Sequence, residues 1–305
     1  MSLLHYIPGT VRTAVILAAA ILVCVQISPA QSDLENVLKQ YDAATIEGYI
    51  QPMADLFGAN INSSVFPSAA IPTTGLSIRF AIVAMGAVVG DDQKNYTLAL
   101  PPSFAQRTMR APTVFGPRAT LVRDPDTGLE FRPSDGIIDA TLFPLAVPQL
   151  SVGSIFGTEA TVRFIITPSI GDNKFPKTTL WGIGARHSIS QYLPAVPVDI
   201  AVGLFYSSFT VGDIIDFTGV TIGAQAGKSF GIANVHGGLS WEKSTMNLSY
   251  MPSAAGSPAV NLDLDGENTV RFTAGAGLSL GVLSLFADAN FGAITNFSGG
   301  VGVGF

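Results

Sequence analysis

The sequence is short of charge. Of its 305 residues only 12 % are Asp, Glu, Lys or Arg, about half of what a soluble domain carries. It holds one cysteine, Cys24, and three histidines. It also lacks any apolar run after residue 30 long enough for a membrane helix, which takes about 20 residues. These absences exclude a good deal. Cys24 falls within an N-terminal stretch that reads as a leader, so disulfide, thiol and thiolate–metal chemistry are not available to the rest of the chain. With Arg12 the one charged residue of that leader, the remainder carries 15 basic and 22 acidic side chains. A net charge of −7 argues against a nucleic-acid partner. No phosphate loop, nucleotide fingerprint or zinc spacing is present, and no cofactor is expected.

What is present is 32 glycines and a positive mean hydropathy of +0.42. High hydropathy with few charges and no spanning helix points to strands that alternate between lipid and lumen. Residues 1–30 read as a signal peptide: Arg12, then the apolar AVILAAAILVCVQI (14–27), then Ser28-Pro29-Ala30 ahead of Gln31. Leu22 and Val23 are too bulky for lipoprotein processing at Cys24. Residues 31–74 read as an N-terminal helix and loop that cap or plug a barrel, and residues 75–305 as the barrel itself.

The helix is expected within 32–58. Ser32 and Glu35 fit a capping box, Leu34, Val37, Leu38 and Tyr41 share a face, and Gly48 and Pro52 should break or kink it. The Pro/Ser/Asn-rich residues after it read as loop. Period-2 alternation then begins with GLSIRFAIV, where Leu76, Ile78, Phe80 and Ile82 oppose Ser77 and Arg79. Further strands are expected near 113–123, 129–133, 160–168, 179–190, 198–208, 218–229, 233–241, 269–279, 281–290 and 294–305, with weaker signals at 96–100, 137–143 and 245–250. The clearest alternation is TLWGIGARHSIS (179–190), in which Trp181, Ile183 and Ala185 oppose Gly182, Gly184 and Arg186. DPDTG (124–128) reads as a hairpin turn and DDQK (91–94) as a polar loop tip. The fold class expected is all-β: an antiparallel transmembrane β-barrel of about 10–14 strands with an N-terminal helical segment.

A charge on the lipid face of such a barrel costs about 2–4 kcal/mol at mid-bilayer. Arg79, Arg163, Arg186 and Gln225 are therefore expected in the lumen, where they line a passage, contact a ligand or hold the N-terminal segment. His187 shares the outward face of Trp181, while His236 shares a face with Ser240. A barrel enzyme acting on lipid would need one of these histidines beside an inward Ser or Asp. NLDLDGEN (261–268) places Asn261, Asp263, Asp265 and Gly266 at the first positions of a calcium loop. Phe272 then occupies the position of the bidentate Glu, so an exposed loop is the better reading and no metal is expected.

The ending FSGGVGVGF (297–305) resembles the C-terminal assembly signal of bacterial outer-membrane barrels, matched by Ser298, Gly300, Val303 and Phe305. That resemblance implies the outer membrane, its lipid and the barrel-assembly machinery as partners. ADLFGANINSSVF (54–66), lying between a helix and GLSIRF, resembles the start of an uncharacterised family of outer-membrane proteins. The layout of N-terminal segment and barrel is more distantly similar to the long-chain fatty acid transporters. The latter resemblance implies a luminal plug and passive transport of a small hydrophobic ligand. A structural or adhesive barrel with a filled lumen is the alternative expectation, and a lipid-modifying enzyme a more remote one.

Overall fold

A computed structural model describes residues 43–168, 176–193, 195–250 and 260–305. The expected signal peptide and the first part of the expected helix lie outside these residues. Helix α1 (Ala43–Ile61) leads into β1 (Ser77–Val88). A long connection follows with the short helix α2 (Asp91–Lys94), a hairpin of β2 (Asn95–Ala99) and β3 (Thr108–Pro112), and a second hairpin of β4 (Val122–Arg123) and β5 (Glu130–Phe131). The remaining strands are β6 (Leu142–Ile155), β7 (Thr158–Thr167), β8 (Thr178–Ser188), β9 (Asp199–Val211), β10 (Ile215–Phe230), β11 (Ala233–Tyr250), β12 (Val260–Asp265), β13 (Val270–Leu280), β14 (Leu283–Phe291) and β15 (Asn296–Gly304).

Ten strands close a barrel in the order β1, β6, β7, β8, β9, β10, β11, β13, β14, β15 and back to β1, with every pairing antiparallel. Strand β12 continues the line of β13 upward, pairing with the upper half of β11 from Thr245↔Asp265 to Tyr250↔Val260. The alternation expected at 179–190 is met along β8: Trp181 and Ile183 are exposed outside, while Gly182, Gly184 and Arg186 are buried inside. Outward residues elsewhere are apolar as well, among them Phe80, Val162, Phe164, Leu204, Leu239, Trp241, Phe272, Val301 and Val303. An apolar exterior around a closed sheet suits a lipid surround, since closure pairs most of the wall's backbone.

The two ends differ. At one end β6–β7, β10–β11 and β13–β14 are joined by two-residue turns, Phe156-Gly157, Gly231-Ile232 and Gly281-Val282. Gly157, Gly231 and Gly281 have φ of 70°, 62° and 66°, the positive values that tight hairpin turns demand. The long 89–141 connection and β12 occupy the opposite end.

Several expectations are corrected. Helix α1 runs unbroken through Gly48 and Pro52 to Ile61, because the lumen encloses it and packing overrides local propensity. Its second half is buried on all sides, with Ala54, Leu56, Phe57, Ala59 and Ile61 in the core. Residues 113–121 form no strand, and 129–133 contributes only the two residues of β5. DDQK is helical. DPDTG does join β4 to β5. Strand β6 shows no clear alternation signal in the sequence, since Pro144 and Pro148 sit inside it.

Candidate functional site

The lumen is occupied by the chain's own N-terminal segment. Helix α1 lies under the 89–141 connection, where Val114 N donates to the Tyr49 carbonyl at 3.0 Å and Tyr49 Oη donates to the Asp135 carbonyl at 2.8 Å. Gln51 Nε2 donates to the Asp265 carbonyl at 2.8 Å, and Asp55 Oδ1 accepts from the backbone N–H of Glu267 at 3.1 Å. The helix thereby bridges to the end of β12. Residues 62–71 then descend through the barrel toward the tight-turn end, with Asn62, Ser63, Ser64, Val65, Phe66, Ala69 and Ile71 all buried.

A helix ending inside protein leaves its last carbonyls without partners. Two arginines of the wall supply them, and a third holds the segment that follows. Arg271 on β13 donates to the Ala59 carbonyl at 2.7 Å. Arg163 on β7 donates to the carbonyls of Ile61, Ser63 and Ser64 at 3.1, 2.8 and 2.7 Å. Arg186 on β8 donates to the Ser68 carbonyl. Their positive charge also complements the negative end of the helix dipole. Two of the three are balanced by carboxylates: Glu242 Oε1 lies 3.0 Å from Arg271 Nη2, and Glu159 Oε1 lies 2.9 Å from Arg186 Nε. Arg163 has a neutral partner instead, Gln149 Oε1, at 2.8 Å.

The four residues expected in the lumen are thus placed as follows. Arg163 and Arg186 face inward and are each 1 % exposed. Gln225 on β10 holds the same segment, donating to the Phe66 carbonyl at 2.9 Å. Arg79 on β1 has the inward parity of Ala81 and Val83 and lies within electrostatic reach of Glu159 and Arg186. Arg271, Glu242 and Asp288 also belong to the cluster. The sequence carried a signal for Arg271, which stands alone between outward Val270 and Phe272. Ser298, Gly300 and Val303 lie on β15, with Phe305 just beyond it.

The histidines part ways. His187 is half-exposed near the end of β8 and contacts Thr158 Oγ1 at 2.8 Å and Tyr192 Oη at 3.0 Å. His236 is buried, and its Nε2 lies 3.0 Å from Asp288 Oδ1. The two sit on β11 and β14, with Gly275 of β13 directly between them in the register. A Cβ at Gly275 would run into both side chains. Ser64 of the descending segment donates to Asp288 Oδ2 at 3.0 Å. The hydroxyl therefore meets the carboxylate, and His236 Nδ1 has no hydrogen-bond partner among the described residues. A serine activated by histidine needs the reverse order, and it is not assembled among the described residues.

A cavity of about 40 Å³, measured to water centres, lies beside this cluster and is lined by Asn62, Ser64, Gln225, Arg271, Asp288 and Asn290 among others. It has room for a few waters, and of its lining residues Asn62 Oδ1, Gln225 Oε1 and Arg271 Nε have no hydrogen-bond partner among the described residues. NLDLDGEN is neither calcium loop nor simple loop: Val260–Asp265 is β12, with Asp263 and Asp265 bonded to Asn247 and Thr245. Among the described residues no three His, Cys, Asp or Glu side chains are grouped to hold a metal.

Among the described residues the wall has a seam. The β6–β7 ladder stops at Gln149↔Arg163, although β6 continues up to Leu142 and β7 to Thr167. Strand β6 keeps an unbroken ladder to β1 through Val88↔Leu142. Prolines cannot donate to that ladder, so Pro144 and Pro148 turn their nitrogens toward β7. Continuing the register would set Pro148 against Phe164 and Pro144 against Pro168. Behind the seam the lumen is apolar: Phe143, Leu145, Val147, Ile165 and Leu180 pack with Phe57 of α1. The Phe57 ring is 6.4 Å from Phe143, 4.6 Å from Phe209 and 4.8 Å from Phe217.

These features define a ten-stranded antiparallel barrel whose lumen is filled by an arginine-clamped N-terminal segment. The chain belongs to DUF6588, a family of unknown function whose model matches residues 10–305. Among solved structures it is similar to the toluene transporter TodX of P. putida, at 11 % identity over 79 % of this chain and 70 % of that one, with a TM-score of 0.27. It is also similar to the translocator domain of the autotransporter NalP from Neisseria meningitidis, at 14 % identity over 76 % of this chain and 88 % of that one, with a TM-score of 0.29. No curated protein matches the sequence.

Proposed function

We propose that this chain is a bacterial outer-membrane barrel that passes a small hydrophobic molecule between its lumen and the surrounding lipid. The observation that carries the proposal is the seam between β6 and β7. It is a stretch of wall without backbone bonds, it faces the apolar belt, and it backs onto the aromatic packing around Phe57. A polar solute gains nothing there, whereas an apolar one meets hydrocarbon on both sides. Ions have no comparable route, because α1 and residues 62–71 fill the lumen. The plug and the edge of the seam meet at Arg163, which is the last rung of the β6–β7 ladder and also holds three plug carbonyls, while Asn60 of α1 donates to the Phe143 carbonyl within the seam at 2.7 Å. Displacing the plug would therefore loosen the seam from inside. Barrel-assembly machinery and outer-membrane lipid are its partners in this reading.

A filled structural barrel is the second reading, favoured by the burial of the second half of α1. Planar-bilayer conductance addresses the plug. The intact protein should pass no ions, and a variant lacking residues 31–71 should conduct. Conduction by the intact protein would make it a simple pore and overturn the proposal.

A further inference from the structure

The tight-turn end of the barrel is apolar to its tips. Phe156, Ile232 and Val282 occupy the three two-residue turns and are 84 %, 60 % and 67 % exposed. Phe156 holds this place with φ of 51°, an uncommon conformation for an aromatic residue. Phe230, Leu280, Leu76 and Phe305 beside the turns are exposed as well. The connection between β8 and β9, residues 189–198, carries no charged residue and exposes Tyr192, Leu193 and Val196. Charge gathers at the other end instead, in the 89–141 connection. A soluble rim of bare Phe, Ile and Val would be an aggregation liability.

We infer that these turn tips are immersed in the membrane, so that the tight-turn rim itself contacts phospholipid. The inference rests on the outer-membrane reading above and adds where the lipid boundary falls. The height of the apolar belt carries it. A strand tilted as in membrane barrels advances about 2.6 Å per residue along the membrane normal. The outward apolar stretch from Ile232 to Trp241, below Lys243, then spans about 23 Å, and that from Phe156 to Ile166 about 26 Å. An outer-membrane belt is about 25 Å tall. Beginning at Val235 instead, with the tips in water, leaves only about 16 Å. On β11 the belt reaches its expected height only with the tip included, and on β13 it already runs from Val270 to Leu280, the residue next to the turn. The apolar surface is also continuous, from Ile232 through Val235 and Leu239 to Trp241, and from Val282 to Phe291. Lys228 is the outward charge near this end, and its ammonium lies 5.9 Å from the centre of the Phe230 ring. An ammonium next to that ring can reach the headgroup level while its stem stays apolar, as lipid-facing lysines do.

The test uses single cysteines at Ile232, Val282, Leu239 and Arg118 in a Cys24→Ser background. Each is labelled with a small fluorophore, and the protein is reconstituted in dioleoylphosphatidylcholine vesicles. Quenching by iodide in the water is compared with quenching by a doxyl-labelled lipid. Labels at Ile232 and Val282 should be quenched by the lipid probe, and by iodide about fivefold less than the label at Arg118, since an anion is excluded from hydrocarbon. Tips as open to iodide as Arg118, with Leu239 still shielded, would overturn this inference and leave the outer-membrane reading standing. Tips protected from both quenchers would mean that protein covers them, which also overturns it. If Leu239 too is open to iodide, the outer-membrane reading fails with it.

Discussion

Arg163 and Gln149 face each other at the last pair of the β6–β7 ladder, and their side chains close that rung with a hydrogen bond of 2.8 Å from Nε to Oε1. Above them the wall has no backbone bonds between these strands. Inside, the same guanidinium holds the carbonyls of Ile61, Ser63 and Ser64. One planar fork thus ties the plug to the edge of the seam, a geometry that an ammonium cannot reproduce.

Replacing Arg163 by Met should release the plug. Three buried carbonyls would lose their donor, at a cost of about 1–3 kcal/mol each for groups that find no water. Limited proteolysis within residues 43–71 should accelerate, and ion conductance should appear in planar bilayers. Arg163→Lys should give an intermediate result. A variant as silent and as resistant as the parent would show that the clamp is dispensable.

The luminal contact between His236 and Asp288 depends on the missing side chain at Gly275. Gly275→Ala should push the pair apart and destabilise the barrel by about 1–3 kcal/mol, the usual cost of overpacking a tight interior. Urea unfolding in detergent would register the loss. Gly237→Ala is the control, because a Cβ there approaches only the Thr273 carbonyl, at 3.5 Å.

Burial pushes the Asp55 carboxyl up to about 6, opposed by hydrogen bonds from Gln51 and the Glu267 backbone and assisted by the Glu267 charge. An acid with a raised folded pKa binds its proton more tightly when folded. Its contribution is therefore fully present below the ordinary value of 3.8 and is lost as pH rises through about 6. The docking of α1 on the end of β12 should be tighter at pH 4 than at pH 7, by on the order of 2–3 kcal/mol at most. Hydrogen exchange of the α1 amides, corrected for intrinsic rates, should show this slope, and Asp55→Asn should flatten it.

Pro144 and Pro148 keep the upper part of β6 from bonding to β7. The double variant Pro144→Val, Pro148→Val restores two donors on that edge and should extend the ladder. Each new bond should add about 0.5–1.5 kcal/mol to stability, while uptake of an apolar probe slows. A more stable barrel with unchanged uptake would place the route elsewhere.

Much of this arrangement was legible in the sequence, and the rest was hidden for identifiable reasons. Alternation along Trp181, Ile183 and Ala185 is dictated by the two-sided environment of the wall, and the cost of a charge against lipid put Arg163 and Arg186 inside. The same reasoning applied to Val270-Arg271-Phe272 would have added Arg271. Strand β6 was illegible because Pro144 and Pro148 contradict strand propensity, and the contradiction marks the seam. The extent of α1 was hidden because Gly48 and Pro52 are breakers in water but are tolerated within a packed lumen. The meeting of Ser64, His236 and Asp288 depends on register across three strands, which no local pattern encodes.

The most direct measurement of a lateral hydrophobic route is probe flux with the seam reversibly locked. Ala146→Cys and Ile166→Cys place thiols at matching heights on either side of it, by continuation of the β6–β7 register. In a Cys24→Ser background, reconstituted in vesicles, an apolar fluorescent probe should enter the lumen of the reduced protein. Entry should stop on joining the pair with a short bifunctional thiol reagent and return when a cleavable version is reduced. Undiminished entry through the locked seam would contradict the account.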